Sequence, residues 1–192
     1  LPMQALMVPI LLVYIIPQFA FTPLWMALAR RFGKKQVWLS AMFLSVVAFG
    51  GLFTVTEPGV MVWVWTFLAG FAGGCGAVVA PSIQADVIDY DEYLSGERKE
   101  GAYLSVWNLV RKGAGSLTAL AAGMALQFAG FEPNIEQSED TKMIMRGLLA
   151  LLPCVCYLIG SILFMRFSFN EADHAEIRRT LAERAVATGT SG

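Results

Sequence analysis

Apolar residues in this chain come in long, almost unbroken runs, and polar residues are gathered into short stretches between them. Roughly 20 helical residues cross a hydrocarbon layer about 30 Å thick, so runs of that length read as membrane spans. Five are predicted, at about residues 5–28, 37–55, 60–84, 102–131 and 147–167. They divide the chain into a transmembrane region, 1–168, and a tail, 169–192. Pro9, Pro17 and Pro23 fall inside the first run and predict a kinked span, because neighbouring membrane helices can resatisfy the backbone there. In the third run Gly70, Gly73, Gly74 and Gly76 crowd the second half. Gly70 and Gly74 have the GxxxG spacing that lets another helix pack closely.

The polar stretches predict the connections. Ala29 to Lys35 is a short basic loop with Arg30, Arg31, Lys34 and Lys35, and Thr56-Glu57-Pro58-Gly59 is a tight turn. Residues 86–101 are too polar for hydrocarbon and read as a loop in water or at the interface. Glu132 to Arg146 is a further polar connection. From Asn170, a helix cap, to Arg184 the tail reads as a surface helix with Ile177, Leu181 and Ala185 on one side, and 188–192 as disordered. With five spans, the loops holding Arg30 to Lys35 and Arg98-Lys99 share one face with the tail arginines 178, 179 and 184. The opposite face has Lys142 and Arg146 alone. The excess of Lys and Arg marks the cytoplasmic side, so the C-terminus is expected inside a cell membrane and the N-terminus outside. Leu1-Pro2-Met3-Gln4 lacks an initiator methionine and a signal-like basic stretch, and predicts a piece of a longer chain.

Composition supports this class. Hydrophobic residues make up 56% and charged ones 15%, against about 25% charged in a soluble domain. A net charge of -1 gives no reason to expect nucleic acid as a partner. Cys75, Cys154 and Cys156 lie in apolar runs without metal-ligand spacing and read as small buried hydrophobes. Neither a metal nor a cofactor is expected.

Candidate chemistry centres on the fourth span, which carries Arg111 and Lys112 well inside it. An ionisable group there is costly unless it faces a polar cavity, where it can bind substrate or answer a coupling ion. The competing reading has one or both side chains snorkelling back to the interface, roughly 15 Å away at Gly101. Gly113 and Gly115 would admit a close partner helix. Asp86 and Asp89 share a helical face with Tyr93 and suggest a cytoplasmic gate with Arg31, Lys34 and Arg98, or a plain solvated face. A rival reading uses Asp86, Asp89 and Asp91 to hold a metal in a membrane-embedded enzyme. His174, the sole histidine, lies in the tail with no nucleophile-base pair in view, so a hydrolase is hard to build.

Arg31-Phe32-Gly33-Lys34-Lys35, Ala85-Asp86-Val87-Ile88-Asp89-Tyr90, Gly96-Glu97-Arg98-Lys99-Glu100-Gly101, Lys112-Gly113 and Gly130-Phe131-Glu132-Pro133-Asn134 follow one another in the chain. In that order they resemble the glycoside-pentoside-hexuronide:cation symporters, melibiose-permease-like members of the major facilitator superfamily. The resemblance implies an all-α membrane fold, with this chain as spans eight to twelve, the C-terminal six-helix half without its first helix. It implies that Lys112 lies near the sugar and cation sites and that Asn108 faces the same cavity. Arg111 stands where it leads one to expect an apolar residue. The activity implied is symport of a glycoside or related sugar with Na⁺, H⁺ or Li⁺ by alternating access, the partners being the sugar, membrane lipid and the missing N-terminal half. A lysophospholipid or other amphiphile carrier of the same fold is an alternative, as is a structural membrane subunit.

Overall fold

The computed structural model describes residues 3–57, 59–132, 135, 137–166, 177, 179–181 and 183, with the backbone alone at 3–5. Among these there is no strand. The chain enters as α1 (Met3–Ala20) and α2 (Thr22–Phe32), bent by 44° at their junction. Pro23 sits in the first turn of α2 with no N–H to return to α1, so the expected kink falls there, while Pro9 and Pro17 stay inside α1.

Two expected loops are helical instead. In place of the basic loop at 29–35, α2 runs to Phe32 and α3 (Lys34–Thr54) begins after a single joining residue, Gly33. Its φ of 91° lies where a side chain is strained, so glycine alone permits so short a joint. The polar stretch 86–101 is likewise no loop over most of its length, because α4 (Val60–Ser95) continues through it. No glycine or proline interrupts residues 82–95. Gly96 stops the helix at φ 73°, its N–H donating to Glu92 O. At 36 residues α4 is about 54 Å long, so its acidic end projects well beyond an apolar layer of about 30 Å.

After α5 (Glu100–Phe128), the connection expected over 132–146 is partly helix: Ser138 accepts a hydrogen bond from the Thr141 N–H and caps α6 (Glu139–Arg146). A π turn, Gly147–Leu151, leads into α7 (Leu152–Met165). There Leu152 N–H reaches back to Gly147 O, and Pro153, next along, has no N–H to offer. In the tail, Ile177 is helical and buried, and 179–181 and 183 are helical. Pro58, Pro133, Asn134, Asn170, His174, Arg178, Arg184, Ala185 and 188–192 lie outside the described residues.

The bundle is organised on α3, against which α2, α4 and α7 pack, while α1 crosses α4. Small residues make up much of the α3 and α4 contact faces, beside a cluster of Trp25, Val37 and Val79. Ala41, Ser45 and Ala48 line α3, and Ala69, Gly70, Ala72, Gly74 and Cys75 line α4, all buried. Lipid offers no hydrophobic drive between helices, so they hold by close van der Waals approach. A Cβ on Gly70 would strike the Tyr14 carbonyl and one on Gly74 the Gln18 carbonyl, which is the close approach the GxxxG spacing predicts. Large apolar side chains point outward instead, Phe19 at 71% exposure and Leu163 at 64%. Three helices are long and apolar enough to cross a membrane, four when the bent α1–α2 pair counts as one; α5 is not among them.

Gly74→Val is expected to drive the Gln18 carbonyl away and destabilise the bundle by about 1–3 kcal/mol. Gly76→Ala, whose Cβ would meet Trp38 Nε1 at 3.6 Å, ordinary contact, should be tolerated. Thermal unfolding of the purified protein in detergent distinguishes them; equal midpoints would refute the packing argument.

Candidate functional site

The charged residues at one end of the bundle form two separate groups. Gly33 places Lys34 at the start of α3, and the packing of α3 on α4 brings its Nζ to Asp86, 2.6 Å from Oδ2 and 2.8 Å from Oδ1. Asp86 is buried, so this pair is poorly screened. The second group ties the end of α4 to the start of α5. Arg98 reaches Glu92 at 2.9 Å, Glu100 at 3.1 Å and Asp89 at 3.8 Å. Its hydrogen bonds to Glu100 and Glu92 push the guanidinium above its ordinary value.

The expected gate residues are therefore split. Asp86 and Lys34 belong to one pair, Asp89 and Arg98 to the other, and Arg31 to neither: its guanidinium lies 5.3 Å from the centre of the Phe32 ring. The metal alternative finds no support, since Asp86 and Asp89 turn to different cations. Among the described residues no three His, Cys, Asp or Glu side chains are grouped to hold an ion.

Asn108, Arg111 and Lys112 all lie on α5, a 29-residue helix with no buried residue. Within the described chain its packing is chiefly against α6. Nothing lies within 4 Å of a Cβ built on Gly113 or Gly115, so the partner helix expected at those glycines is not among the described residues. What separates α5 from the bundle near Gly101 is an apolar chamber of about 520 Å³, walled by Tyr103, Trp107 and Val110 of α5, Trp38 of α3, Ile83 of α4 and Phe164 of α7. Gln84 also lines it, with a buried Nε2 that has no hydrogen-bond partner among the described residues.

This chamber fixes how α5 is turned. At about 100° per residue, the middle of the face formed by 102, 103, 106, 107 and 110 lies roughly 150–170° from Asn108 and Lys112 and roughly 110° from Arg111. Asn108 and Lys112 thus share the opposite side of the helix, in a polar stripe with Ser105 and Ser116 at helical spacing. Neither Arg111 nor Lys112 makes an ion pair among the described residues. Such a stripe is costly against hydrocarbon and calls for a polar surface or a polar solute opposite it. Sequence reading found the two cations but missed the chamber. The signal was present as Tyr103, Trp107 and Val110, spaced along one face.

Residues 3–171 match the family model described as MFS/sugar transport protein. The chain is 30% identical to an uncharacterized symporter, YjmB, of Bacillus subtilis over 82% of this chain and 35% of that protein. It is 30% identical to a putative sulfoquinovose importer of Salmonella typhimurium, over 82% of this chain and 34% of the other. Identity is 26% to a glucuronide carrier protein homolog of Escherichia coli, over 82% and 35%. The chain spans about a third of the length of these curated relatives.

Removing one member of the Lys34–Asp86 pair takes from the other a contact of 2.6 Å at a site where Asp86 is buried. Lys34→Met is expected to lower the thermal midpoint more than Arg31→Met, and Lys34→Asp combined with Asp86→Lys to restore part of the loss. Unfolding curves of the four proteins decide it; a swap no better than the single change would show that the pair is not coupled.

Proposed function

We propose, from the premise that this chain belongs to the MFS/sugar transport protein family, that the protein carries an acidic sugar across a membrane by cation-coupled symport. The observation that carries this reading is the pair of cations on α5 that lack a carboxylate partner among the described residues, with Lys112 and Asn108 on the polar side. A lone Lys within a membrane helix can hold a polar neutral sugar. A second cation, Arg111, suits an anionic group, since a guanidinium meets a carboxylate or sulfonate with two parallel hydrogen bonds. Two relatives are named for cargo of this kind, sulfoquinovose bearing a sulfonate and glucuronides a carboxylate.

In this reading Lys112 binds the acid group or answers the coupling ion, Asn108 hydrogen-bonds sugar hydroxyls one turn earlier, and Arg111 sets the preference for an anion. Na⁺, H⁺ or Li⁺ supplies the gradient. This half forms one wall of a midplane site, a second, N-terminal half the other, and the two rock between inward- and outward-open states. The ionic groups around Asp86 and Arg98 form the cytoplasmic gate, with the C-terminus on that side of the cell membrane.

The test is uptake by the full-length protein in proteoliposomes, with imposed Na⁺ or H⁺ gradients and a panel of neutral glycosides, hexuronides and sulfonated sugars. Gradient-dependent accumulation of an acidic sugar is expected. Lys112→Ala should lower it roughly a hundredfold without loss of membrane insertion, and Arg111→Leu should shift the preference toward neutral sugars. Unchanged uptake in Lys112→Ala would remove the site assignment. Lysophospholipid uptake in place of any sugar would give the amphiphile carrier instead.

A further inference from the structure

Polar contacts fasten α5 at its two ends and, among the described residues, nowhere between them. At its start Arg98 holds Glu100 of α5 together with Glu92 and Asp89 of α4. At its far end Ala129 O accepts from Thr141 Oγ1 of α6 at 2.8 Å. Along the helix Ser105 Oγ donates to Gly101 O and Thr118 Oγ1 to Ala114 O, bonds that stay within α5, and no residue of it is buried. Each end also turns on a glycine of positive φ, Gly96 at 73° and Gly130 at 65°, where the backbone changes direction without straining a side chain.

The connection from α4 to α5, residues 96–99, is short, and helices joined so closely ordinarily lie side by side as antiparallel neighbours. Here α5 packs chiefly against α6, and the apolar chamber of about 520 Å³ lies between it and α4. Aromatic rings stand on both walls, Tyr103 and Trp107 on α5 and Trp38 and Phe164 on the bundle. Trp38 and Phe164 already meet edge-on, their centroids 4.7 Å apart, whereas Tyr103 and Trp107 make no ring contact among the described residues. A void between such walls forfeits dispersion on both of them, and close van der Waals contact is much of what holds helices together in lipid. The two walls have the same chemistry, and the helix that carries one of them is held by its ends alone.

We propose that α5 is a strap, hinged at residues 96–99 and at Gly130, that closes the chamber by swinging onto α3, α4 and α7. In the closed position Tyr103 and Trp107 pack on Trp38 and Phe164, and the helix axes reach the roughly 8–10 Å separation of packed neighbours. Asn108 and Lys112 lie on the opposite side of α5, so closure draws them toward the bundle and opening advances them. One motion therefore fills the chamber and moves the polar stripe. The inference rests on packing and does not depend on what the protein carries.

The motion is read as a distance between two spin labels in the full-length protein, held in lipid nanodiscs and measured by pulsed electron spin resonance. One label replaces Leu109, which is exposed and lies roughly 90° around α5 from the middle of the chamber face. The other replaces Val47, exposed on α3. Two distances are expected, one for each position of the strap. Ala80→Trp and Val106→Trp fill the chamber from opposite walls, and each should abolish the shorter distance; two variants are used so that poor folding of one leaves the other to decide. A single distance with the chamber residues unchanged would overturn the strap. So would a shorter distance that survives in either folded variant.

Discussion

Hydrocarbon offers no hydrogen bonds, and the rest of this structure follows from that. Every backbone N–H and C=O within the apolar layer must find its partner inside the chain, so the membrane part is built from helices. Where proline removes a donor, the consequence is visible: α1 gives way to a bent α2 near Pro23, and the helix before Pro153 widens into a π turn. Helices in lipid gain nothing from hiding apolar surface, so their contacts use Ala, Gly, Ser and Cys while Phe, Leu and Met face outward.

The same constraint sorts the charges. Asp86, Asp89, Glu92 and Arg98 lie toward the projecting end of α4, where pairing is inexpensive, and each is answered by an opposite charge. Arg111 and Lys112 are the exception, since they are carried into a long helix and pair with no acid among the described residues. The polar stripe of Asn108 and Lys112 lies on the far side of α5 from the chamber, with Arg111 at its flank, so the two faces of one helix meet different surroundings.

Class, proline kink and the role of Gly70 and Gly74 were legible in the sequence because each follows from local spacing; the expected five spans compare with three helices long and apolar enough to cross, or four with the bent pair. Residues 86–95 were misread because polarity was taken as a sign of irregular backbone. Acidic residues end a span without ending a helix, and the terminator was Gly96, ten residues later. Arg31 was misgrouped because the Gly33 joint puts it on α2 and Lys34 on α3, so closeness in sequence does not place them on one face. It turns to Phe32 while Lys34 turns to Asp86. Gly113 and Gly115 are small residues like Gly70 and Gly74, yet among the described residues only the latter pair has a helix against it. A spacing motif says that approach is possible, not what approaches. The chamber depends on four helices at once, and no window of sequence contains it.

Gly33 also sets a mechanical limit. A one-residue joint spans two Cα–Cα steps of about 3.8 Å, about 7.6 Å at most between the last residue of α2 and the first of α3, so the two helix ends stay close together in any motion of the bundle. With Lys34 anchored to α4 and Lys35 to the end of α7, this end of the bundle has no long tether to take up strain. Any displacement of α2 is transmitted to α3 almost undiminished, and through it to α4 and α7. The ends of α2 and α3 therefore move together at Gly33, while α1 and α2 meet at the 44° bend near Pro23.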